Sequence, residues 1–207
     1  ALTRSQSPAP IATAKLDVRK LYRISPVGAL GATATGLGNA AFWGLGPLFV
    51  QQGGYPAAII AAFMSIAIIG AGLSQFPLGW ISDRVDRRLV IIASSSLGVI
   101  AAAGLALIGT QSETTLLVFV FFFGACSFPI FGICAAHAND FAEAGEAVAT
   151  SGGLLLRHGL GATAGSLLGS VVMQTFGPAT LFLYIASIYT TLVVVSTLRV
   201  RTRRAIP

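Results

Sequence analysis

Six apolar runs constrain what this 207-residue chain can fold into more than any other feature. A helix needs about 20 predominantly apolar residues to cross the hydrocarbon core of a bilayer. Such runs fall at about 26–50, 57–81, 89–110, 115–138, 147–173 and 178–198. Backbone groups cannot go unpaired in lipid, so each run must close its own hydrogen bonds as a helix. The separators are short: "QQGGYP", the charged "SDRVDR", "TQSET", "NDFAEAGE" and "QTFGP". Consecutive helices are therefore antiparallel. The expected fold class is an all-α membrane protein, a six-helix transmembrane bundle over residues 25–198. A cytoplasmic linker and basic arm, 1–24, precedes it, and a basic cytoplasmic tail, 199–207, follows.

Composition agrees. Only 10% of residues are charged and 55% are hydrophobic, where a soluble domain carries about a quarter charged residues. The net charge of +6 does not point to nucleic acid, because basic residues flanking apolar spans report membrane orientation. Twelve of the 13 Lys and Arg fall on one side of a six-span chain: Arg4, Lys15, Arg19, Lys20 and Arg23, then Arg84, Arg87 and Arg88, then Arg199, Arg201, Arg203 and Arg204. By the positive-inside rule that side, with both termini, is cytoplasmic. The two cysteines, Cys126 and Cys134, stand about 12 Å apart along one helix, too far to bridge. The chain starts with Ala, and its polar first residues read as the middle of a longer protein cut at a loop.

The polar residues are unevenly shared. The third and sixth spans are nearly pure aliphatic, as expected of lipid-facing helices. The first carries Asn39 and Trp43, which share a helix face with Gly46. In the fourth, Ser127, Ile130, Cys134 and His137 follow 3–4 spacing and share another. The first and fourth spans are thus candidates to line something polar, and a relation of one to four, two to five and three to six is what two three-helix repeats give. Gly161, Gly165 and Gly169 form a smooth stripe for close packing of the fifth span. Arg157 and His158 lie well inside that span, where an ionisable group is functional by default. Two readings stay open for Arg157, a cavity site or a long side chain reaching back to the interface. For His158 they are a proton carrier or a packed neutral ring, and His137 divides the same way. Asp140 and Glu143 have capping-box-like spacing and are expected to open the fifth helix.

"GWISDRVDRR", residues 79–88, concentrates charge between the second and third spans. Asp86 is placed to cap the third helix. Asp83 ends the second, where a negative charge opposes the helix's own negative end. It needs an outside donor, so the loop reads as a latch with Asp83 as its working acid.

This stretch resembles the loop signature of the major facilitator superfamily, Gly-x-x-x-Asp-Arg-x-Gly-Arg-Arg. Gly79, Asp83, Arg84, Arg87 and Arg88 match, and Asp86 stands where Gly is usual. "LYRISPVG", "AHANDF", "SGGLLLRHGLGATAGSLLG" and "FGPATLF" add a similarity to the C-terminal half of the YcaD-type subgroup. Ser166 departs from it where Pro is expected, and Arg157 where a neutral or aromatic residue is usual. The resemblance implies helices seven to twelve of a secondary transporter in the inner (plasma) membrane, moving a small solute by alternating access, without cofactor or covalent chemistry, and coupled to protons. It implies that the first and fourth spans line a central cavity, with Asn39, Trp43, Ser127, His137, Arg157 and His158 as candidate solute or proton groups. The second and fifth spans would meet an N-terminal six-helix half, and Asp83 would latch onto it. Two alternatives are a truncated half that is inert alone and a half-size transporter acting as a homodimer. An enzyme is disfavoured: no Walker-type loop is present, and no Lys follows Arg23.

Overall fold

The computed structural model describes residues 18–143 and 146–202. The arm with Arg4 and Lys15 and the end of the tail with Arg203 and Arg204 lie outside the described residues. A seven-residue helix, α1 (Val18–Ile24), occupies the end of the expected arm. Ser25 then caps α2 (Pro26–Gln52): its hydroxyl accepts from the Gly28 N–H at 3.2 Å. Pro26 suits the first helical position because its missing N–H has no intrahelical partner there. The chain continues through α3 (Ala57–Ser82), α4 (Arg87–Leu107), a 3-10 turn (Gly109–Gln111), α5 (Glu113–Ser127), α6 (Ile130–Asn139), α7 (Ala147–Phe176) and α8 (Thr180–Thr202).

The six expected spans correspond to α2, α3, α4, the pair α5–α6, α7 and α8. The fourth is not one smooth helix, because Pro129 divides it. Proline has no N–H to offer the carbonyl four residues earlier, here that of Ala125. Ser74 of α3 donates to that orphaned oxygen at 2.6 Å. Among the described residues, four segments are long and apolar enough to cross a membrane by length and composition: α3, α4, α5–α6 and α8. The other two, α2 and α7, have spanning lengths of 27 and 30 residues but are richer in glycine and polar groups.

Packing follows a two-fold pattern. The first span lies against the fifth and the fourth against the second; the third lies against the fourth and the sixth against the first; the third and sixth lie against each other. Exchanging each span with its counterpart three places on leaves this list unchanged, as two three-helix units require. The crossings have a common chemistry. At α2–α7, a Cβ on Gly36 would strike the His158 carbonyl, and Cβ atoms on Gly161 and Gly165 would strike those of Thr33 and Leu37. At α3–α5, Gly70 abuts the Phe121 carbonyl and Gly124 that of Ala67. The stripe on the fifth span thus packs on the first span of this same bundle.

The core is aromatic. Phe42, Phe49, Phe63, Phe123, Phe182 and Tyr189 are all fully buried and join α2, α3, α5 and α8. Phe42 lies 5.2 Å from Phe123 and 5.7 Å from Phe63 between ring centroids. The expectation that the third and sixth spans simply face lipid needs correction. Ser94, Ser95 and Gly98 on α4 and Ser196 on α8 are buried, since α4 packs against both α5 and α8. The barest helix is α3: only 17% of its apolar window is buried, and Ile68, Leu73, Phe76 and Trp80 are exposed.

Candidate functional site

The charged loop folds around Arg87. Its Nη1 donates to Asp83 Oδ1 at 2.8 Å and to Ser82 Oγ at 3.0 Å, while Nε donates to Asp140 Oδ2 at 2.6 Å. A planar guanidinium can serve several acceptors at once in this way. Asp83 is the residue that ends α3, and 63% of its side chain stays exposed. Asp86 caps α4 as expected, its carboxylate accepting from the Arg88 N–H at 2.9 Å. Arg84 turns back, donating to the Trp80 carbonyl at 3.1 Å with its guanidinium 3.7 Å from the centre of that indole. Arg88 lies 5.9 Å from the Phe141 ring. A Cβ on Gly79 would meet nothing within 4 Å, so the position carries no steric demand in this chain.

Asp140 corrects the capping expectation. It ends α6 and binds Arg87, while α7 starts after Glu146 without a side-chain cap. One arginine therefore ties the loop after α3 to the loop after α6. Sequence spacing could not reveal a pair 53 positions apart.

Inside the bundle the candidates separate. Ser127, Ile130, Cys134 and His137 do share a face, but all four are buried. That face packs inward: a Cβ on Gly98 would lie 2.9 Å from Ser127 Oγ, and one on Gly31 would strike Cys134 Sγ. Ser127 and Cys134 of this stripe therefore pack against glycines of α4 and α2. His137 sits near the end of α6 against the Phe141 ring, 5.1 Å between centroids, beside Ser25, Arg88 and Arg199. Asn39 accepts at Oδ1 from the buried Tyr189 hydroxyl at 3.2 Å. Trp43 is 43% exposed and stacks on Phe128 at 5.3 Å, next to the Pro129 break.

Arg157 and His158 are adjacent in sequence but serve different sides of α2. His158 Nδ1 lies 3.3 Å from both the Ala32 carbonyl and Thr35 Oγ1. A carbonyl can only accept, and the Thr35 hydroxyl already donates to the Gly31 carbonyl at 2.8 Å. Nδ1 therefore acts as the donor to these two oxygens. The ring rests on Phe131 of α6 at 4.6 Å. Arg157 Nε instead donates to Thr33 Oγ1 at 3.2 Å, with its guanidinium 5.9 Å from the Tyr22 ring. Among the described residues, no group of three or more His, Cys, Asp or Glu side chains gathers to hold a metal ion.

The paired three-helix units, with a charged loop between the second and third spans, define an all-helical membrane bundle. Residues 28–207 match the model of the Major Facilitator Superfamily, and the chain belongs to that family. With its apolar helices, this makes it an integral membrane protein. An uncharacterized MFS-type transporter from Yersinia pestis is 28% identical over 186 residues, 90% of this chain and 46% of the relative. The uncharacterized MFS-type transporter YcaD of Escherichia coli is 28% identical over 166 residues, 80% of this chain and 42% of that protein. The chain thus spans less than half the length of these curated relatives. Among solved structures, the POT family transporter PepTSo superposes with a TM-score of 0.75 over 92% of this chain and 39% of its own. At 18% identity that likeness speaks for the fold alone.

Proposed function

We propose that this chain is the C-terminal six-helix half of a secondary transporter of the inner membrane. Together with an N-terminal six-helix half it moves a small solute by alternating access, coupled to protons, with both ends of the chain cytoplasmic. Asp83, Arg84, Arg87 and Arg88 form the latch. The solute path runs past Trp43 and Asn39, and His158, between α2 and Phe131 of α6, carries the proton.

The observation that carries this reading is the state of Asp83. It stands where the α3 dipole is unfavourable to it, and Arg87, its partner, is shared with Asp140. Most of the carboxylate stays open on the barest helix of the bundle, where a companion half would dock. The test uses the intact transporter. Thermal shifts across drugs, sugars, amino acids and organic acids identify a solute, and uptake of that solute is then measured in proteoliposomes with and without a proton gradient. The gradient should stimulate uptake. Asp83→Asn should slow it by about tenfold, the scale of a typical coupling free energy, while the thermal shift persists. Wild-type uptake by the variant would sink the latch, and uptake by this chain reconstituted alone would favour the homodimer.

A further inference from the structure

Arg157 is a half-buried cation in the third turn of α7, and no described carboxylate pairs with it. Its one described hydrogen bond uses Nε; the remaining guanidinium N–H groups have no described acceptor. The acceptor of that bond, Thr33, lines an apolar groove between α2 and α8, together with Leu30, Leu37, Ile188, Leu192 and Val195. The neighbouring His158 turns the other way, onto Phe131 of α6. Arg157 is thus tied through the Thr33 hydroxyl to the wall of the α2–α8 groove. Tyr22 beside it supplies the amphipathic ring typical of headgroup depth.

An arginine with no carboxylate partner among the described residues, bonded to a residue that lines an apolar trough, matches one kind of molecule, an anion with a hydrocarbon tail. We propose that this groove binds one anionic phospholipid from the leaflet on the side of the Asp83–Arg88 loop. The acyl chain lies along the α2–α8 trough, and the phosphate takes the free donors of Arg157. Bidentate pairing with phosphate is the geometry guanidinium favours. The same charge would be costly facing bare hydrocarbon.

Native mass spectrometry of the intact transporter tests this, after equilibration with vesicles of phosphatidylglycerol or of phosphatidylcholine. The wild type should retain one phosphatidylglycerol in preference to phosphatidylcholine, and inorganic phosphate should not displace it. Arg157→Gln should lower that preference about fivefold, the contribution of one basic residue near an anionic surface, and Arg157→Lys should keep most of it. Ile188→Trp, which fills the trough and leaves the arginine intact, should lose the retained lipid. Equal retention of the two lipids, or unchanged preference in Arg157→Gln, overturns the proposal. So does a variant that keeps its lipid but loses thermal stabilisation by anionic solutes, since that places Arg157 on the solute path. None of these readouts depends on transport, so the lipid site and the latch stand or fall separately.

Discussion

At Pro129 the chain interrupts its fourth span, and a hydroxyl on another helix meets the carbonyl that the proline leaves without a donor. The Ala125 carbonyl loses its usual donor, and Ser74, 51 positions earlier, replaces it. Ser74→Ala removes the replacement and leaves a part-buried acceptor unmet, at a cost of about 1–3 kcal/mol. The intact protein should then melt several degrees lower in detergent; an unchanged melting temperature would mean that the break needs no such support. The proline was visible in the sequence, but its consequence was not, because the compensating hydroxyl lies on another helix. Arg87 and Asp140 have the same history: each was legible as a charge, and only the fold joins them. Asp86 was legible in full, since an N-cap acts on the residues beside it. Ser166 is a departure from the subgroup pattern that the fold uses. Its hydroxyl donates to the Ala40 carbonyl across the α2–α7 crossing at 3.2 Å, which proline could not do.

Among the elements, hydrophobic length located the spans to within a few residues of their ends, because in lipid length and apolarity alone demand a helix. Which faces meet was less legible. The stripe Gly161, Gly165 and Gly169 was plain from its spacing, but its partner was not, since small residues permit close approach without naming what approaches. Gly70 and Gly124, one to a helix, form no stripe and still build the equivalent seam at α3–α5. The seams predict a sharp contrast. Gly165→Leu must push α7 off the α2 backbone and should abolish a monodisperse peak in fluorescence-detected size exclusion. Gly159→Ala, where a Cβ meets nothing within 4 Å, should leave the peak intact. A well-behaved Gly165→Leu would mean that the α2–α7 contact is not a structural requirement.

Over the whole molecule the loops collect at two ends. At one, the Tyr55 hydroxyl donates to the Thr110 carbonyl at 3.3 Å, joining the turns after α2 and α4. At the other, Arg87 joins the loops after α3 and α6. The proposed topology puts the Arg87 end in the cytoplasm, and labelling checks it. In the intact protein with Cys126 and Cys134 replaced by Ala, Gln52→Cys should react with an impermeant maleimide on whole cells. Val85→Cys should react only after permeabilisation, and the reverse result would invert the topology. The glycine seams have one more outcome for how this body can change its outline. Where carbonyl meets glycine there is no slack, so first and fifth, and second and fourth, must travel as welded pairs. Compliance is left to the bare flank of α3 around Gly72, which abuts nothing. A strut unsupported over most of its circumference is the part a neighbour can bow, and the weld on its other side decides how far.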